Sequence, residues 1–138
     1  MSIVQTQTTS FKSELYQAVH NLLTDELWIA LYTANANLNA DTTVYATTGE
    51  VSGSGYSPGG VQLTGVTIGT SGYTVYVNFN NVAFNAAVTA RCALIYNKTK
   101  GNKSIAVLDF GSDKTSSSFT ITMPANSATA ALIRSSNG

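Results

Sequence analysis

From residue 26 onward the chain is written in short runs of β-branched and aromatic residues, broken every few positions by clusters of Gly, Asn, Ser and Asp. Runs this short, punctuated this often, are the pattern of an all-β fold. Leu27-Trp28-Ile29-Ala30-Leu31-Tyr32 is apolar on both parities, so it predicts a central strand buried on both faces. Tyr73, Val75, Val77 and Phe79 alternate with polar or smaller residues, as do Phe119, Ile121 and Met123, which predicts half-exposed strands. The runs 91–96 and 104–110 flank the turn-rich stretch 97–103 and predict a hairpin. Within 61–68 the apolar parity shifts by one at Gly65, which predicts a β-bulge there. A run at 130–134 closes the set, and a short strand is expected near Val44-Tyr45-Ala46. Seven or eight strands suit a β-sandwich, of which the jelly roll is one form.

One segment departs from this pattern. Phe11, Leu15, Ala18, Val19, Leu22 and Leu23 recur at helical spacing, so a single N-terminal α-helix is expected over 10–23. Ser10 is placed to cap it, Thr24-Asp25 closes it, and Phe11, Leu15, Val19 and Leu22 dock it on a sheet. Residues 1–9 are polar and aperiodic and read as an arm, leaving 10–138 as one domain. The stretch 34–60 is too long for a plain connector. Tyr45, Val51 and Tyr56 are its candidate anchors. Its glycines at 53, 55 and 59 make ordering costly, so it is expected to stay mobile until a neighbour orders it.

Composition narrows function mainly by exclusion. Seven basic and seven acidic residues give a net charge of zero, and Ser, Thr and Asn supply 46 of the 138 residues. A neutral chain argues against a nucleic-acid binder that works by neutralising phosphates, and no apolar run approaches the roughly 18 residues of a membrane span. One cysteine makes no internal disulfide. The first residues lack the basic and apolar regions of a secretory signal, so a chain released into the cytosol is expected.

Motifs that resemble catalytic ones lack their surroundings. Gly55-Tyr56-Ser57-Pro58-Gly59 has the spacing of a nucleophile elbow, but neither a strand before it nor a helix after it is expected, and the only histidine, His20, lies upstream. Asp109-Phe110-Gly111 copies a kinase metal motif without the other kinase motifs and reads as a strand ending in a turn. His20, Cys92 and the scattered acids show no metal-ligand spacing, and Cys92 reads as a small core residue. No catalytic residue and no cofactor is assigned. Lys98, Lys100 and Lys103 gather three of the seven basic side chains in one hairpin turn, which reads first as a solvated turn and otherwise as a contact for an acidic protein surface.

Several stretches, in order along most of the chain, resemble a family of small tailed-bacteriophage virion proteins. They are Phe11-Lys12-Ser13-Glu14-Leu15, Trp28-Ile29-Ala30-Leu31-Tyr32-Thr33, and Thr48-Gly49-Glu50-Val51-Ser52-Gly53-Ser54-Gly55-Tyr56 with Gly59-Gly60. Thr89-Ala90-Arg91-Cys92-Ala93-Leu94-Ile95-Tyr96-Asn97 and Ala106-Val107-Leu108-Asp109-Phe110-Gly111 follow. Cys92 departs from the Gly common at its place. The resemblance implies no enzymatic residues and a role first as a capsid decoration or cement protein, located at the capsid surface. It would bind the major capsid protein and copies of itself, as a dimer or trimer. A tail, fibre or baseplate accessory role is the alternative. Glu50, Tyr56, Lys98, Lys100 and Lys103 are the expected partner contacts. A carbohydrate-binding module, stacking sugars on Trp28 or Tyr76, is a third reading from another class.

Overall fold

The structure is a computed structural model, which describes residues 3–136. It is all-β with one short helix. The main sheet has five antiparallel strands in the order β1 (Thr6–Gln7), β8 (Lys103–Ser116), β7 (Val88–Asn97), β2 (Leu27–Tyr32), β3 (Val61–Gln62). A second sheet has the order β10 (Ile133–Ser135), β5 (Thr74–Asn78), β4 (Thr67–Ser71), and β6 (Val82–Phe84) pairs with β9 (Phe119–Ile121). The last pair extends the long β7–β8 hairpin. Val88 pairs with Ser116 and Phe84 with Phe119, so one ribbon bends across the molecule at residues 85–87 and 117–118.

Strand β2 is apolar on both parities because both of its faces are covered. Leu27, Ile29 and Leu31 point into the main core with Phe11, Val77, Phe84, Ile95 and Phe119. Ala30 and Tyr32 point into a second core on the outer face, with Cys92, Leu94, Tyr96 and Val107, roofed by Ala36 and Leu38 of the long loop. The 34–60 stretch therefore has partners within its own chain. Val51 is buried, its N–H donates to the Leu31 carbonyl (3.0 Å), and Tyr45 stacks on Tyr96 at 4.7 Å. The expectation of a mobile loop is thus replaced by a packed one that keeps water off the outer sheet face. Its expected strand near Val44 reduces to a single bridge, Val44 to Lys103.

Helix α1 (Thr9–Tyr16) is shorter than the predicted 10–23, and Thr8, not Ser10, caps it by accepting from the Phe11 N–H at 3.3 Å. It ends because Ala18 takes a left-handed conformation (φ 59°). The Val19 N–H then reaches the Glu14 carbonyl (3.0 Å) and the Ala18 N–H the Leu15 carbonyl (3.2 Å), the paired bonds of a Schellman stop. Phe11 and Leu22 are buried as expected, but from different segments, and Leu15 stays partly exposed. The expected arm is partly a strand. Thr6 and Gln7 pair with Val107 and Ala106, and Ile3 bridges to Leu38. The expected bulge at Gly65 is instead a crossing between sheets, since β3 belongs to one and β4 to the other. Gly65 has φ +66° there, and a Cβ would strike the Asn80 side chain.

Candidate functional site

Two polar clusters hold the residues singled out from the sequence. In the first, residues 49–51 run along the free edge of β2, with Glu50 bridged to Tyr32. The Glu50 carboxylate accepts from the Tyr45 hydroxyl (2.6 Å) on one oxygen, and from the Tyr56 hydroxyl (2.6 Å) and the Gly59 N–H (2.8 Å) on the other. The Tyr56 hydroxyl in turn accepts from the Leu31 N–H (3.0 Å), so a side chain satisfies an edge amide that no strand reaches. Tyr96 donates to the Gly59 carbonyl (2.7 Å) and Tyr32 to the Ala46 carbonyl. Burial first, then the Glu50 charge, pushes the Tyr96 phenol up to about 12 and raises Tyr32 further; Tyr45 and Tyr56 are raised by burial and by their bonds to Glu50.

The glycines of this segment are there for close backbone approach. A Cβ on Gly60 would overlap the Ile29 carbonyl oxygen, and one on Gly55 the Asn85 carbonyl oxygen. Gly53 lies close against Ala87, though less tightly, where the Ala87 N–H donates to the Ser54 carbonyl (3.1 Å). So residues 50–60 tie the edge of β2 to the corner where β6 meets β7. Ser57 is exposed in a turn closed by the Gly60 N–H, with neither strand nor helix flanking it.

The second cluster lies under the β7–β8 turn. Asn97, fully buried, donates to His20 Nδ1 (3.0 Å) and to Asp25 Oδ2 (2.8 Å). With Nδ1 accepting, the His20 proton sits on Nε2 and is donated to Glu14 Oε1 (2.8 Å). Lys100 donates to the Val19 carbonyl (2.7 Å) and pairs with Asp25 at 3.1 Å. Burial alone would raise the Asp25 carboxyl, but bonds from Asn97, the Asn21 N–H and Lys100 outweigh it and hold it below its usual range. Asp109, in the kinase-like motif, accepts from the Gly111 N–H and from Arg91 Nε, which lower its pKa in that order. The strand does not end there: β8 continues past an irregularity to Ser116.

Among the five expected contact residues, the structure joins Glu50 to Tyr56 and turns both inward on their own chain. Lys100 is likewise occupied by Asp25. Lys98 is exposed, with its ammonium 3.9 Å from the centre of the Trp28 ring, and Lys103 opens β8 opposite Asn97. Trp28 and Tyr76, the possible sugar platforms, each have one ring face covered from within, by Lys98 and by Gly69. Cys92 is fully buried in the outer core, its thiol pushed up to about 12, mainly by burial. Among the described residues no group of three or more His, Cys, Asp or Glu side chains could hold a metal ion, and no helix is long and apolar enough to cross a membrane.

What sequence reasoning missed is the pairing of Glu50 with Tyr45 and the His20–Asn97–Asp25 chain. An acid, Glu50, close in sequence to the two tyrosines of a hydroxyl-rich loop was the available signal for the first. The fold and both clusters define a small, sandwich-like all-β protein whose polar interior groups are spent on bracing. No family model matches the chain, and comparison with characterised proteins and with solved structures gives no significant match.

Proposed function

We propose that this chain is a structural protein of a tailed-phage virion, a capsid decoration or cement protein that binds the major capsid protein and copies of itself at the particle surface. The observation that carries the reading is the fate of Glu50–Tyr56, the most specific part of the resemblance, and of the glycines that follow it. Glu50, Tyr56 and the glycines at 53, 55 and 60 are all committed to holding the sheet edge and the ribbon corner. A decoration protein needs such a preformed scaffold, because it repeats one modest contact many times over a lattice and gains by losing little entropy at each site. A surface rich in Thr, Ser and Asn and poor in charge is compatible with packing many copies side by side, since like charges would repel between neighbours.

Copy number in purified particles tests the reading. Hundreds of copies, placed on the capsid lattice in a virion map, are expected. A dozen or fewer at the tail would transfer the protein to a tail, fibre or baseplate role, and absence from particles would overturn the virion role altogether.

A further inference from the structure

The sheet edges of this molecule are not treated alike. The edge of β2 is covered by β3 and by the Glu50 segment. The edge of β8 is covered by β1 at one end; further along, the strand is broken by an irregularity between Asp109 and Lys114 and carries Asp113 and Lys114. Bulges and charges of this kind are how natural sheets discourage edge pairing. The three-residue strands β6 and β9 are uncharged and pair only with each other, and the five-residue β4 is the longest edge without such protection. Its sequence, Thr67-Ile68-Gly69-Thr70-Ser71, is uncharged, it pairs on one side only, and among the described residues its backbone makes no hydrogen bond outside the β5 ladder.

The turn fixes which groups face outward. Ser71 and Thr74 close a two-residue loop, Gly72-Tyr73, with Gly72 at φ +57°, so Ser71 and Thr74 form a hydrogen-bonded pair. Alternation then directs Ser71, Gly69 and Thr67 toward β5, and the N–H and C=O groups of Ile68 and Thr70 toward open solvent. Beside that edge the sheet face is apolar and uncovered. Leu15, Leu23, Ile68 and Val75 line one groove with 38, 63, 46 and 43% of their surface exposed. Their exposed parts total on the order of 300 Å², comparable to the largest apolar patch of a typical monomer, which is often functional.

We infer that β4 is a self-association edge, and that its partner is β4 of a second copy of this chain, antiparallel about a two-fold axis at Gly69. That register sets Ile68 opposite Thr70 of the second copy and the reverse, engaging the outward backbone groups of both. It also joins two three-stranded sheets into one of six. A two-fold edge contact sets a strand against an identical one, so a strand with net charge is repelled by its copy, and β4 carries no charge. Because the axis stands perpendicular to the sheet, the two apolar grooves fall on the same side and merge. This surface supplies the self-association in the virion role and depends on that role only for its setting; the purified chain tests it whether or not particles carry the protein.

Sedimentation velocity over a concentration series should show a reversible monomer–dimer equilibrium, with amide exchange at Ile68 and Thr70 slowing as the dimer fills. Ile68→Lys and Thr70→Glu, each at an exposed position and each checked for an unchanged circular dichroism spectrum, should raise the dissociation constant about tenfold or more. The double substitution I68K/T70E sets unlike charges opposite one another across the axis and should restore the dimer. A chain that stays monomeric throughout, a dimer indifferent to both single substitutions, or a double variant no better than either single one would each overturn the inference. If I68K fails to fold, T70E and the exchange data still decide.

Discussion

Replacing Glu50 by Ala removes the one acceptor on which three donors converge, the hydroxyls of Tyr45 and Tyr56 and the N–H of Gly59. A hydrogen bond to a charged acceptor is worth about 1.5–3 kcal/mol when its partner is deleted and left unpaired. The full sum is not expected, because Glu50, Tyr45 and Tyr56 are only half-buried and water can reach some of the stranded donors. Tyr56 suffers most, since its hydroxyl is also the acceptor for the Leu31 N–H and is held in place from both ends. A loss of about 3–4 kcal/mol follows, a large part of the 5–15 kcal/mol that stabilises a domain, and for a chain of this size a fall in Tm of roughly 10–15 °C. Glu50→Gln keeps one acceptor oxygen but turns an NH2 toward a phenol, and should cost about 1–2 kcal/mol. Thermal and urea unfolding of the two variants, with Tyr56→Phe to close a double-mutant cycle, measure the terms; a coupling of about 1 kcal/mol or more between Glu50 and Tyr56 is expected. If Glu50→Ala costs under about 1 kcal/mol, water or a neighbouring group already serves these donors and the brace is not one. If it instead leaves Tm unchanged and abolishes attachment to particles, Glu50 is the partner contact expected from the sequence.

Three further outcomes follow from the same geometry. Tyr32, Tyr45, Tyr56 and Tyr96 have folded-state pKa values raised above the unfolded value near 10, so their contribution is complete below about pH 10 and lost as pH climbs through the folded values; a 295 nm titration should show these phenols ionising only together with alkaline unfolding, and reversible ionisation of all seven tyrosines near pH 10 in the native state would refute it. Asp25 is held below its ordinary value, so its contribution is complete above about pH 4 and disappears as pH falls through the folded value; Asp25→Asn should flatten the acid limb of a Tm-against-pH curve. Ala18→Gly should raise stability by about 0.5–1 kcal/mol in urea unfolding, because the helix stop demands a left-handed residue and Ala occupies it.

Strands β2 and β9 were legible because each had one clear burial demand, whereas Tyr73 of the expected alternating strand lies in the β4–β5 turn and Val75 stays exposed. Two-sided burial made 27–32 apolar throughout, and Phe119, Ile121 and Met123 alternate inward as their period requires. Helix α1 was over-extended for a physical reason. Its apolar spacing continues to Leu22 and Leu23, but the chain unwinds at Ala18, where no Gly or Pro announces a stop. The backbone is held there by contacts distant in sequence, Lys100 on the Val19 carbonyl and Asn97 on His20, and local pattern carries no record of them. At Gly65 the parity shift was real, but a change of sheet produces the same shift as a bulge, and only the pairing partners distinguish them.

The long loop was the hardest part to read, and the reason bears on how function is inferred from such chains. A segment that covers a sheet face without joining it has no period, so its aperiodic Gly, Ser and Asn residues look like those of a mobile binding element. Here the glycines are required where the loop backbone meets β2 and the ribbon corner at distances no Cβ would permit, and Glu50 is required where edge amides and phenols lack a strand partner. Those residues hold the fold together, so the Gly-rich pattern by itself does not locate a partner contact. Edges whose backbone groups the chain leaves unpaired are a better guide to contact, and β4, uncharged, five residues long and beside an exposed apolar groove, is the one on which the self-association inference rests.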